Sequence, residues 1–344
     1  MTHLRYRKIF IGTLGVVAIT NVVSLCVFIL NPEMFYYRAW EYFDELAYEF
    51  DNYDARWDAI ENSDLTRNNF FYYQEPHLTR VTTDADGFRS VPLQSDSYHI
   101  LVSGDSTIFG SGLSDNETLP WMLSEILEAP VFNGARTSLG NLLKKDGLSE
   151  VRLIIDLRTE RAVKGGVFND YGLVGDLPYT PLLTNNWTIF DLPSIVPAQR
   201  YLVTSVIPRI VKRMGNDLEL WLNGYPDEQR YMYHEMDADD LDHAVTAIKQ
   251  RNDMITSSGI RYVFVVVPAK QTIYSSAPDT YTLGYVEMLT RRLRELDVET
   301  INLVDEFRVH AQLDLYRDFD THWNGQGVRV AAEKIANHLN ATGY

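Results

Sequence analysis

Five short apolar runs, YHILVSG (98–104), VFN (131–133), VRLIIDL (151–157), IRYVFVVVP (260–268) and TINLVD (300–305), recur along the chain with stretches of helical pattern between them. A strand with one wet face alternates apolar and polar residues. These runs barely alternate, so both of their faces must be covered, which is the condition of a parallel sheet between helices. The pattern predicts an α/β fold, a three-layer α/β/α domain whose last helix is VRVAAEKIANHL (328–339). With 344 residues, 45% of them hydrophobic, the chain can bury one large core. Between 162 and 235 the alternation is lost among Gly, Pro, Asn and aromatic residues, and this segment reads as an insertion or cap. The acidic cluster HEMDADDLDH (234–243) has the composition of a ligand set, but acidic residues also favour a helix N-terminus, and a good helix follows it as far as Gly259. No metal site and no cofactor is read from it.

The run IFIGTLGVVAITNVVSLCVFIL (9–30) carries no charge and is long enough to cross a bilayer as a helix. Arg5, Arg7 and Lys8 precede it and acidic residues follow, so the N-terminus is expected in the cytoplasm and the rest outside. A cleaved signal peptide is the rival reading, opposed by the length of the run and the absence of an A-x-A-like site. The single cysteine, Cys26, lies inside the run and excludes an intrachain disulfide. The expected organisation is a cytoplasmic tail (1–8), a transmembrane signal anchor (9–30), a stalk helix and linker (31–80) and a catalytic body (81–344). Apolar residues at helical spacing over 33–62 suggest the stalk helix. The expected location is the cell membrane, single-pass, with the body extracytoplasmic. A net charge of −16 argues against nucleic acid or an anionic membrane face as partner.

Ser106 stands in SGDSTIFGSG, directly after the first strand of the sheet, where doubly wound folds present ligand-binding loops. Asp105 and Ser106 also suit a helix N-cap, and a serine at that point is next to backbone amides that can hold an oxyanion. A base is needed to remove its proton. His322, in DFDTHWNGQG (318–327), is the candidate, with Asp320 to accept from the other ring nitrogen and Asp318 as an alternative orienter. The loop that holds them precedes the last helix and should meet the Ser106 loop at one edge of the sheet.

GDST with Ser106, GFR at 87–89 and DTHWN at 320–324 resemble the SGNH (GDSL-like) hydrolase superfamily, from about residue 80 to the C-terminus. The resemblance implies a flavodoxin-like sheet and a triad of Ser106, His322 and Asp320. It differs from the G-x-S-x-G elbow of α/β-hydrolases, since Ile108 stands where the second glycine would be. IIDLRTER (154–161) and VVVPAKQTIY (265–274) are similar to the E-R and P-x-K-x-x-x-Y segments of the AlgJ and AlgX group, periplasmic proteins that O-acetylate alginate and related polysaccharides. YRDFDTHWN resembles their D-x-H-W motif, although in that group the motif precedes the serine. SGNH hydrolases usually take oxyanion donors from a Gly in the second block and an Asn in the third. Here the second block is NGARTS (133–138), and Glu160, which cannot donate when ionised, stands at the Asn position. The resemblance leaves the oxyanion to the amide of Ser106, to an amide of the 134–138 loop, with Gly134 and Ser138 as candidates, and to Arg161. Arg161 could equally brace the strand end on Glu160 or Asp156. Lys270 and Tyr274 either line the pocket or finish the fourth strand.

The expected function is a membrane-anchored serine acyltransferase that O-acetylates a cell-surface or exported polysaccharide. Its partners are a polysaccharide acceptor, an acyl donor and, by resemblance alone, a multispanning membrane acyltransferase. A carbohydrate or lipid esterase and an inactive glycan-binding scaffold are the alternatives, because the triad chemistry does not choose the acyl acceptor.

Overall fold

The structure is a computed structural model and describes residues 55–61, 77–84, 86–135, 138–164, 238–274, 284–317 and 321–343, with scattered helical positions between 6 and 22. Its elements are β1 (Ala55–Glu61), β2 (His77–Thr83), β3 (Ile100–Gly104), α1 (Ser106–Phe109), α2 (Leu119–Leu127), β4 (Val131–Ala135), α3 (Leu139–Leu142), β5 (Leu153–Thr159), α4 (Glu160–Lys164), α5 (Ala238–Ser257), β6 (Arg261–Val267), α6 (Lys270–Tyr274), α7 (Tyr285–Glu295), β7 (Thr300–Asn302), α8 (Val304–Val309) and α9 (Gly325–Ala341). The five apolar runs all become strands of one sheet, in the order β4-β3-β5-β6-β7, with every pair parallel.

Side chains leave a strand on alternate faces, and here each face has its own core. Ile100, Val102, Ile155, Leu157, Val263 and Val265 face α2 and α9, which contribute Leu119, Leu123, Ala332, Ile335 and Leu339. Leu101, Ile154, Phe264 and Val266 face α5 and α7, through Val245, Ile248, Val286, Leu289 and Leu293. Burying each such side chain contributes about 1.5–3 kcal/mol. The three-layer parallel fold read from the apolar runs is therefore the one observed.

The chain goes from β3 outward to β4 and then returns to β5 on the other side of β3. The direction of winding reverses there, and in open α/β sheets the crevice beyond the carboxyl ends of such a strand pair holds the ligand. Gly104 closes β3 at this crevice. A Cβ on it would stand 2.2 Å from Ile108 Cγ1 and 2.9 Å from Leu157 O, so only glycine lets the chain turn back this tightly.

The stalk helix expected over 33–62 does not run through its C-terminal end. Ala55–Glu61 is a strand, β1, paired antiparallel with β2 so that Trp57 lies opposite Val81. Its partner β2 starts at His77 and so crosses the expected boundary at residue 81. Cross-strand pairing outweighs a local helical spacing in so short a segment. Among the described residues no helix is long and apolar enough to cross a membrane. Most of the 9–30 run, the rest of the stalk and most of the 162–235 insertion lie outside the described residues.

Candidate active site

The turn that carries Ser106 is made by its own side chains. Asp105 caps α1 with Oδ1, which accepts from Thr107 N at 2.9 Å, while its Oδ2 accepts from Thr159 Oγ1 at 3.2 Å. One carboxylate thus starts the helix and ties it to the end of β5. Gly110, at φ +87°, ends the helix in the left-handed region that favours glycine. Two buried side chains hold the carbonyls of this turn. Asn133 Nδ2 donates to Ile108 O at 3.4 Å, and Arg89 Nη1 donates to Phe109 O at 3.1 Å and Gly110 O at 2.8 Å. Arg89 also donates through Nε to Asp115 Oδ1 at 3.0 Å and through Nη2 to Leu113 O at 2.6 Å, and its side chain is wholly buried. The GFR segment therefore organises the loop that leaves the serine.

His322 comes from the other end of the chain. Its loop is closed by an antiparallel bridge between Tyr316 and Trp323, with Arg317 N donating to His322 O at 3.2 Å and Asn324 N to Leu315 O at 3.0 Å. Asn324 then caps α9, accepting from Gln326 N and Gly327 N. Gly327 is needed where this helix starts, because a Cβ would meet Leu315 O at 2.3 Å. The result is a 2.9 Å separation between Ser106 Oγ and His322 Nε2. Ser106 is half-buried and His322 buried. When Nε2 carries no proton, the serine hydroxyl donates to it, which is the arrangement a general base requires.

The other expected site residues fall as follows. Asp320 and Asp318 lie outside the described residues, as does the side chain of Arg161 on α4. Gly134 is not in a loop but inside β4, opposite Ser103, and the space its Cβ would take is filled by Leu101 and Leu142. Close packing alone accounts for a glycine there. Ser138 caps α3, its Oγ accepting from Asn141 N at 3.1 Å. Lys270 and Tyr274 form α6, after β6 rather than in it. Lys270 Nζ donates to Arg317 O at 2.9 Å, and Tyr274 OH donates to Ala311 O at 3.1 Å and accepts from Leu315 N at 2.7 Å.

Glu160, at the end of β5, is buried, and its Oε2 accepts from Ala269 N at 2.9 Å and Thr272 Oγ1 at 2.6 Å. Burial pushes the Tyr316 phenol well above its ordinary value, and the neighbouring charge of Glu160 adds to this. Tyr316 therefore serves as a hydrogen-bond donor, to Pro268 O at 2.5 Å, and not as a base. Sequence reasoning gave no role to Arg89, Asn133, Thr159 or Tyr316. Their signal was weak: each is a polar residue at a strand end or in a short motif, and only the folded chain shows what it reaches.

A parallel sheet with this order, a serine after its first strand and a histidine before its last helix are the arrangement that the resemblance to SGNH hydrolases leads one to expect. Residues 218–344 match the family model described as SGNH hydrolase-like domain, acetyltransferase AlgX. This match, over the C-terminal part of the chain, agrees with the resemblance of its motifs to SGNH hydrolases and to the AlgX group. The matched residues include Lys270, Tyr274 and His322, while Ser106 precedes them. No curated protein matches the sequence. Among solved structures, an acetylxylan esterase from Geobacillus stearothermophilus is 12% identical, with 73% of this chain and 97% of that one covered and a TM-score of 0.37. A carbohydrate esterase family 2 enzyme with a carbohydrate-binding domain, from Corynascus, is 12% identical, with 78% and 73% covered and a TM-score of 0.37. A G-D-S-L family protein from Desulfitobacterium hafniense is 12% identical, with 70% and 98% covered and a TM-score of 0.36. Likeness this distant says nothing of substrate.

Proposed function

We propose that the chain is an extracytoplasmic serine acyltransferase that moves an acetyl group onto a polysaccharide hydroxyl. The observation that carries this reading is the 2.9 Å separation of Ser106 Oγ from His322 Nε2 at the switch point of the sheet. His322 takes the proton of Ser106 as the hydroxyl oxygen attacks the donor's acyl carbon, and the amide of Ser106, the first residue of α1, serves as a donor to the oxyanion. His322 returns the proton to the leaving group of the donor. A sugar hydroxyl then takes the acyl group by the reverse sequence. In this account Asp320 accepts from the remaining ring nitrogen and fixes the tautomer.

Water in place of the sugar hydroxyl gives the second reading, an esterase with the same site. The AlgX-type match favours transfer over hydrolysis. The inactive scaffold has less support, because the carboxylate of Glu160 is engaged by Ala269 and Thr272 and so gives no argument against turnover.

The membrane anchor belongs to the same proposal. Phe10, Ile11, Val16, Ile19 and Val22 are helical and 57–66% exposed, which suits side chains that face lipid. The acyl group then reaches the body at the outer side of the membrane, exported by a multispanning acyltransferase. The purified chain, given a chromogenic acetyl ester and an oligosaccharide, should yield an acetylated oligosaccharide by mass spectrometry. Ester hydrolysis at the same rate with and without the sugar, and no acetylated product, would assign it to the esterases. Protease added to right-side-out vesicles should digest the body, and a protected body would overturn the topology.

A further inference from the structure

Lys270 and Tyr274 have the residue types of a substrate-binding pair, yet their polar ends reach into the chain. The segment from Pro268 to Tyr274 makes four side-chain hydrogen bonds with residues 311–317, the stretch that leads to His322. Lys270 Nζ donates to Arg317 O (2.9 Å), Tyr316 OH to Pro268 O (2.5 Å), Tyr274 OH to Ala311 O (3.1 Å) and Leu315 N to Tyr274 OH (2.7 Å). The rings of Tyr274 and Tyr316 also meet edge to face, with centroids 6.1 Å apart. On its other side the segment is held to the sheet by Glu160, whose Oε2 takes Ala269 N and Thr272 Oγ1. From 315–317 the links continue to the base itself, through the Tyr316–Trp323 bridge and Arg317 N to His322 O.

We propose that α6, anchored on Glu160, is a brace that sets His322 against Ser106, with Lys270 and Tyr274 as positioning residues and not substrate contacts. Ser106 is fixed at the end of β3 and tied to the end of β5 through Asp105 and Thr159. Glu160 is the next residue after Thr159. Nucleophile and base are therefore both referred to the same strand end, one directly and one through α6. This explains a carboxylate at a position where a donor amide would be expected. Glu160 accepts two hydrogen bonds at one carboxyl oxygen, from Ala269 just before α6 and from Thr272 within it.

The inference rests on the Ser106–His322 reading, and its test separates the two. The full-length chain in detergent, labelled with 15N-histidine, is compared with Tyr274→Phe, Lys270→Met and the double variant. Tyr274→Phe removes both bonds at the phenol oxygen while keeping the ring, and Lys270→Met keeps most of the stem, so folding should survive. In the double variant the His322 ring signals should move toward those of an unbonded imidazole, and kcat for an acetyl ester should fall on the order of 10²-fold with KM unchanged, as for a misplaced catalytic group. Lys270→Arg, which keeps a donor toward Arg317 O, should recover part of the loss. His322 signals that match the wild type in the double variant would overturn the brace. So would a wild-type kcat with a raised KM, which is the mark of a lost substrate contact. A wild-type chain that turns over no ester would remove the catalytic reading, while the His322 signals would still decide the brace.

Discussion

A serine is a weak nucleophile on its own, and in the proposed mechanism the reactivity of Ser106 depends on a histidine 216 positions later in the chain. Because the two act as a unit, Ser106→Ala and His322→Ala should each lower ester turnover on the order of 10³-fold or more, and the double variant should lose little beyond either. Asp320→Asn should cost less than either, since it disturbs the tautomer of His322 and leaves the pair in place. Steady-state kinetics on the four variants beside the wild type checks this, and additive losses would mean that the two residues act separately. Both residues were legible in the sequence because each stands where the strand–helix pattern turns over, and chemistry at such turns needs few residue types. Gly134 was not legible in the same way. A glycine in a loop and a glycine in a strand read alike in sequence, and only the packing of Leu101 and Leu142 against β4 tells them apart.

At the scale of elements, α1 is a four-residue helix, too short to persist without support. Its support is Asp105 at one end and Asn133 and Arg89 at the other. Arg89→Met should cost about 3–5 kcal/mol, because it leaves Asp115 buried without its cation and removes the guanidinium bonds to the carbonyls of Phe109, Gly110 and Leu113, of which Gly110 O keeps Leu113 N. Arg89→Lys should lose less, as it keeps the charge but not the fork. Urea denaturation of the three proteins measures the difference, and a loss within ±0.5 kcal/mol, as for an ordinary surface substitution, would contradict the role given to Arg89. Strands were the most legible elements: their apolar runs are long relative to their boundaries, so an error of a residue or two leaves the sheet intact. The stretch 55–61 shows the opposite case. Its spacing suits a helix, and what makes it a strand is β2, some twenty positions away, a pairing that no local pattern reports.

For the molecule as a whole, the parallel sheet followed from the runs, but the strand order did not, because it depends on which helix crosses which face. Asp156 on β5 shows how the layers are fastened. It accepts from Arg251 on α5 at 2.7 Å and Tyr262 on β6 at 2.8 Å and pairs with Arg158 at 2.9 Å, all of them buried. Burial alone would raise its pKa, but Arg158 and Arg251 outweigh burial and hold the carboxyl below its ordinary 3.8. A group depressed in this way contributes stability in full above its unfolded pKa and loses it as pH falls through the folded value. The wild type should therefore weaken as pH drops below about 3.8. Asp156→Asn should be less stable at neutral pH by about 3–5 kcal/mol and lack that part of the acid dependence. Urea midpoints from pH 7 down to pH 3 and below check the sign, and an equal acid slope in both proteins would contradict it.

The central claim is that Ser106 carries the acyl group, and the most direct measurement is the intact mass of the full-length chain mixed with an activated acetyl ester and quenched during turnover. The account predicts one added acetyl group, mapped to the peptide that contains Ser106, absent from Ser106→Ala and retained longer in His322→Ala, if it forms there, because deacylation has lost its base. An adduct that maps elsewhere, or that persists in Ser106→Ala, would contradict it.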